Sequence, residues 1–357
     1  MTNHGSSLIA LCKFLRGELP KEVDWVSLIG LANETLTTPA LMQSVERFGN
    51  KIPRDVSEYV REMVVRNQDR NRRLSDQLGE AVTALNKVGV TPVLLKSGGT
   101  LATTENTANV FRLISDLDIM ISSEEIEIAM KALFGIGYEV FTSSPKGAAR
   151  WCVDLQRHGD VGMIDLHACL PGHQYFHRSI GNIRHHCRLC TSQYGTVYVP
   201  FPTYQAFILI VHDEFQDDDY WTGKIDLRHL LDLCELSRSA GIDWRLLSSM
   251  STSKLYRNAL ETQLLALHYL FGVELPGKLL QRFIPRLQFQ RRLIQARLPF
   301  LRRALLATAL ADYINYRTEV GSEERRRRTS KPELWFPKIS TMRFLLNRSV
   351  ERRFGKV

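Results

Sequence analysis

The chain has 357 residues, 44% of them apolar and 24% charged, with six scattered cysteines and a net charge of +9. A chain of that length and composition buries a large core and divides into two or three parts, which excludes a disordered segment and a small disulfide-framed domain. The positive charge is local: residues 281–357 hold 19 Lys+Arg against 6 Asp+Glu, leaving 28 against 32 for residues 1–280.

Residues 1–90 read as an N-terminal helical region. Leu8, Leu11, Cys12 and Leu15, and later Leu74, Leu78, Ala81, Val82 and Leu85, recur at the spacing of one helix face. Pro39, Pro53 and Gly49-Asn50 separate the helices, and Gly89 ends the last of them. No apolar run reaches the roughly 18 residues that span a bilayer, and no signal pattern opens the chain, so no transmembrane segment and a cytoplasmic location are expected.

From Thr91 the period shortens. Residues 92–95 form a short apolar strand, residues 96–100 a glycine-containing turn opening a helix near Leu101, and residues 115–121 a second strand. Ser122 followed by Glu125 is a capping box, after which Ile126, Ala129, Met130 and Leu133 continue an amphipathic helix. A third strand covers residues 138–142. Residues 151–155 and 161–167 then flank Arg157-His158-Gly159-Asp160 as a hairpin, and residues 196–199 form the last strand.

Between these strands lies a tract rich in metal-ligating types: His173, His177, His185, His186, Cys187 and Cys190. It lacks the second cysteine pair of a structural zinc site, so a polar connection is the stronger reading. Beyond Thr203 the chain is helical, with Phe207, Ile208, Ile210, Val211 and Phe215 on one stripe and Leu227, Leu230 and Leu231 on another. Asp213-Glu214 and Asp217-Asp218-Asp219 read as a solvated acidic loop, and Trp151, Trp221 and Trp244 as core or rim aromatics. Further helical stretches, residues 255–270 and 289–316, lead to a basic tail containing Arg325 to Arg328.

The expected architecture is α+β: a helical region over 1–90, a small mixed-sheet core over 91–202, a helical domain over 203–320 and the tail 321–357. Asp116 and Asp118 carry its chemistry. In a strand they share one face while Leu117, Ile119 and Ile121 point into a core. Two carboxylates on one face repel unless a divalent cation lies between them, and Asp165, on a later strand, is a third.

In order, Leu94-Leu95-Lys96-Ser97-Gly98-Gly99, Arg112 with Ser115-Asp116-Leu117-Asp118, and Ile164-Asp165-Leu166-His167 resemble the nucleotidyltransferases related to DNA polymerase beta, and within them a poorly characterised bacterial branch. The resemblance spans roughly residues 70–240 and implies a nucleotidyltransferase core. It implies Asp116, Asp118 and Asp165 as catalytic ligands of Mg²⁺ or Mn²⁺, with Lys96, Ser97, Gly98, Gly99 and Arg112 around the triphosphate of an NTP substrate. Ser97 stands where that branch carries glycine, which leaves the register of the phosphate turn open by one residue. His212, Asp226, Arg228 and Asp232 resemble further polar positions near the nucleotide, and His167 shares the strand face of Asp165, either to position substrate or as a satisfied, partly buried histidine.

The implied activity is transfer of an NMP group to an acceptor hydroxyl of RNA or tRNA, a protein or a small molecule, with release of pyrophosphate. The basic C-terminal fifth tilts the acceptor towards nucleic acid, because phosphate neutralisation gives affinity without sequence readout. Two other readings compete: a non-catalytic binding or regulatory module on the same fold, and a peripheral protein held on anionic lipid through residues 342–354.

Overall fold

The computed structural model describes residues 4–104, 110–143, 152–171, 174–177, 180–192, 195–239, 241–251, 253–309 and 312. Trp151, His173 and the basic tail lie outside them. The chain opens with α1 (His4–Leu15), α2 (Trp25–Glu34), α3 (Met42–Phe48) and α4 (Arg54–Lys87). At 34 residues α4 is the longest helix, about 50 Å at the α-helical rise. Asp55 in its first turn and Lys87 in its last oppose the helix dipole. It ends where Gly89 takes φ +80° and Val90 N–H donates back to the Leu85 carbonyl at 3.0 Å.

The first half of α4 packs Val56, Val60 and Val64 into an all-helical core, and the second half packs Leu74, Leu78, Ala81, Val82 and Leu85 under a sheet. That sheet is built from β1 (Val93–Leu94), α5 (Lys96–Thr103), β2 (Leu117–Met120), α6 (Ile126–Gly135), β3 (Glu139–Ser143), β4 (Cys152–Gln156), β5 (Ile164–His167), β6 (Cys187–Ser192) and β7 (Gly195–Pro200). Its strand order is β3-β4-β5-β2-β1-β7-β6. β2 runs parallel to β5 and β1 to β7, and the other neighbours are antiparallel, so the sheet is mixed.

Two local expectations are corrected. Gly98 and Gly99 do not lie in a turn ahead of a helix; they sit inside the first turn of α5, which starts at Lys96. The Cys/His tract is not a connection: its cysteines belong to β6, an edge strand zipped to β7, where Cys187 Sγ donates to the Ile183 carbonyl at 3.2 Å. β6 is held by backbone bonds and leaves Leu189 59% exposed, so it lacks the buried alternation that marks a strand.

The remaining helices are α7 (Pro202–Val211), α8 (Asp219–Thr222), α9 (Leu227–Ser239), α10 (Trp244–Ser249), α11 (Lys254–Phe271), α12 (Phe283–Arg297) and α13 (Arg302–Leu305), with a π-helical turn at His212–Gln216. They share one apolar core with α1 to α3, in which Leu11, Phe14 and Leu28 join Leu265, Phe271 and Phe289. Among the described residues no helix is long and apolar enough to cross a membrane.

Polar side chains on α4 fasten the loops that carry the site. Asn67 and Asn71 donate to the carbonyls of Val110 and Arg112, Arg70 to those of Ile114 and Ser115, and Gln77 to that of Gly162. Gly162 is pressed so close that an added Cβ would lie 2.8 Å from the Ser115 carbonyl oxygen and from Leu74 Cδ2. Gly162→Ala is therefore expected to destabilise the fold by about 1–3 kcal/mol. A variant that melts with the wild type would mean that this contact yields freely.

Candidate functional site

Alternation along the strands sends Leu117, Ile119, Ile164 and Leu166 into the core, each with no exposed surface. The residues between them face the other way. Asp118 on β2 stands opposite Asp165 on β5, and Asp165 stands opposite Asp154 on β4, so three aspartates from adjacent strands form one row. His167, two residues beyond Asp165, donates from Nε2 to Asp118 Oδ1 at 3.3 Å. Potential ligand atoms of Asp118, Asp165 and His167 all lie within 4.8 Å of one another. Asp116 is outside that group: it precedes β2, lines the same cleft, and accepts a hydrogen bond from Ser115 Oγ at 2.9 Å.

Lys96 supplies the buried cation. Its Nζ lies 2.8 Å from Asp118 Oδ1, and its backbone takes φ +45°, a left-handed conformation unfavourable for a residue with a Cβ. Ser97 follows into the cleft wall. Gly98 gives its N–H to the Leu95 carbonyl, and an added Cβ there would touch the Asp118 carbonyl oxygen at 3.6 Å. At Gly99 the added Cβ would lie 3.2 Å from Val199 Cγ1. Gly99 lets α5 pack closely on the sheet, whereas a methyl at Gly98 would make ordinary contact. Arg112 also lines the cleft, but its Nε is held by both carboxylate oxygens of Asp232 on α9 at 2.7 Å.

The two central aspartates titrate in opposite directions. Burial raises the Asp165 pKa, and Asp118, Asp116 and Asp154 raise it further, from 3.8 to about 8. Burial acts the same way on Asp118, but Lys96 and His167 outweigh it and hold that carboxyl well below the usual range. Because the folded pKa of Asp165 is raised, its contribution to stability is complete below the unfolded value near 3.8 and is lost as pH rises through about 8. Asp165→Asn should accordingly stabilise the metal-free protein at pH 8 by about 1–3 kcal/mol and leave it unchanged near pH 4. Thermal unfolding in chelator across that range checks this; a variant less stable than wild type at pH 8 contradicts it.

The far wall corrects another expectation. Asp213, Glu214 and Asp219 are not in a solvated loop: they are 1%, 0% and 7% exposed. The π-helical turn carries the α7 stripe one step further, to Phe215, and turns Asp213 and Glu214 inwards. Glu214 forms a buried ion pair with Arg292 at 2.5 Å, and His229 Nδ1 lies 2.5 Å from Asp213 Oδ1. Arg228 on α9 lines the cleft, and its buried Nη1 has no hydrogen-bond partner among the described residues. The cleft enclosed between sheet and helices measures about 740 Å³.

Sequence reading missed Asp154: a turn confined to residues 157–160 would set residue 154 opposite 163, and the observed register lies two residues further on, opposite Asp165. It also missed the buried acids, whose signal was the continuation of the apolar stripe from Val211 to Phe215.

Paired aspartates stand on neighbouring strands of a mixed sheet, beside a strand-to-helix turn and at the floor of a cleft. A family model described as uncharacterised nucleotidyltransferase matches residues 21–272, and the chain belongs to that family. The match contains the aspartate row, Lys96 and the wall from His212 to Arg228. No curated protein and no solved structure matches the chain.

Proposed function

We propose that the protein transfers an NMP group from an NTP to an acceptor hydroxyl, with release of pyrophosphate, and that it needs a divalent cation to do so. The observation that carries this reading is the pairing of Asp118 with Asp165 across β2 and β5 at the floor of the cleft. Carboxylates are hard oxygen donors suited to Mg²⁺ or Mn²⁺, and burial together with repulsion from Asp118, Asp116 and Asp154 raises the Asp165 pKa to about 8 in the metal-free protein. Lys96 takes Oδ1 of Asp118, so Oδ2 of Asp118, the Asp165 carboxylate and Asp116 on the adjoining wall would hold the ion. Bound there, the ion would neutralise phosphate charge and orient the reacting oxygens.

The chain's own residues supply the rest. Lys96 keeps Asp118 ionised. Asp165, which lines the cleft beside the ion's place, is positioned to accept the proton of the acceptor hydroxyl. The unpartnered Nη1 of Arg228 and the hydroxyl of Ser97 offer donors to the triphosphate, and positioning with charge neutralisation does most of the work in such transfers. An acceptor bearing phosphates suits the basic residues 281–357, although Arg291 and Arg292 are buried and serve the fold instead.

An NTP at about 100 times its dissociation constant should stabilise the protein by roughly 2.7 kcal/mol when Mg²⁺ or Mn²⁺ is present. Little shift is expected in chelator. An equal shift with and without the cation contradicts the metal requirement.

A further inference from the structure

We propose that His212, Asp213 and His229 form a second divalent-cation site in the cleft wall, separate from the aspartate row and selective for a transition ion of the zinc type. Nδ1 of each histidine turns to the same carboxylate: Asp213 Oδ1 lies 2.5 Å from His229 Nδ1 and 3.5 Å from His212 Nδ1. The two rings stand at 87° with centroids 5.6 Å apart. Suitable ligand atoms of the three residues fall within 4.8 Å of one another, and the group shares no member with Asp118, Asp165 and His167. All three side chains are buried, at 8%, 1% and 2% exposure.

A second observation points to a cation there. Asp219 is 7% exposed and lines the cleft, and its carboxylate has no hydrogen bond or ion pair among the described residues. Its strongest electrostatic neighbours are other carboxylates, those of Asp217, Asp213 and Asp226. Asp217 Oδ2 and Asp226 Oδ2 lie 3.4 and 3.6 Å from the Nδ1 atoms of His212 and His229. Arg292 is a cation that Asp219 also faces, and an ion held by the histidines would add counter-charge to this concentration of carboxylates. Two imidazoles beside carboxylate select Zn²⁺ or Co²⁺ over Mg²⁺, which prefers an all-oxygen shell with water. The π-helical turn is what places His212 and Asp213, consecutive in sequence, against the same partner on α9.

The test uses the full chain stripped with chelator and titrated with Co²⁺ in saturating Mg²⁺, reading the visible absorption of imidazole-bound cobalt, with Zn²⁺ calorimetry alongside. One cobalt should bind per chain and be displaced by Zn²⁺. Asp118→Asn and Asp165→Asn should retain the band. His212→Gln and His229→Gln should each weaken binding by at least about 100-fold, since loss of supporting residues alone costs up to that much. Circular dichroism checks folding of each variant; if His229→Gln does not fold, His212→Gln, on the cleft wall, decides the matter. The proposal is overturned if wild type shows no cobalt band, if His212→Gln binds undiminished, or if Asp165→Asn loses the band. Cobalt binding is read without turnover, so its outcome is separate from that of nucleotidyl transfer.

Discussion

Asp118→Asn and Asp165→Asn should each lower nucleotidyl transfer by about 10³-fold or more, the scale on which loss of charge stabilisation at a reacting centre is felt. Their effects on the metal-free fold should have opposite signs. Asp118 is the partner of the buried Lys96, whose Nζ it holds at 2.8 Å. Its neutralisation leaves that cation without its hydrogen-bonded partner, facing the charges of Asp116, Asp217 and Asp165, at an expected cost of about 3 kcal/mol. Asp165 is a carboxylate in surplus, raised to about 8 by burial and by its neighbours, so its neutralisation relieves repulsion. Activity assays paired with unfolding curves separate the two. If both variants melt alike, Asp118 and Asp165 do not sit in the opposite charge environments that their neighbours imply.

Arg292→Met is expected to have the largest effect on stability alone. Arg292 is 1% exposed, Glu214 is fully buried, and their ion pair joins α12 to the π-helical turn. Removing the guanidinium strands an acid in the interior, which costs about 3–5 kcal/mol. The double variant Arg292→Met with Glu214→Leu should recover most of that loss, because apolar packing replaces both charges. Denaturant unfolding measures the pair. A single variant within about 1 kcal/mol of wild type would show that water reaches Glu214.

Much of the sheet was legible because its strands advertise themselves. Leu117 and Ile119 alternate with Asp116 and Asp118, the Arg157 to Asp160 turn announces the β4–β5 hairpin, and the Ser122–Glu125 capping box is present as read. Parallel pairing of β2 with β5 then places Asp118 beside Asp165. The remainder depends on contacts distant in sequence. β6 buries too little to carry a pattern. Gly98 and Gly99 look like a turn because local preference favours one, yet both lie in α5, with Gly99 packed tightly on Val199. The acids from Asp213 to Asp219 read as a hydrated loop because nothing nearby in sequence supplies Arg292, which arrives from α12. Arg112 likewise finds Asp232 across 120 residues.

The most direct measurement follows the α-phosphate. With NTP labelled there, a divalent cation and a panel of RNA, protein and metabolite acceptors, wild type should attach the label covalently to one acceptor class and release pyrophosphate in equal amount. Asp118→Asn and Asp165→Asn should do neither. Release of inorganic phosphate without label transfer, or label transfer undiminished in the folded Asp165→Asn variant, would contradict nucleotidyl transfer at this site.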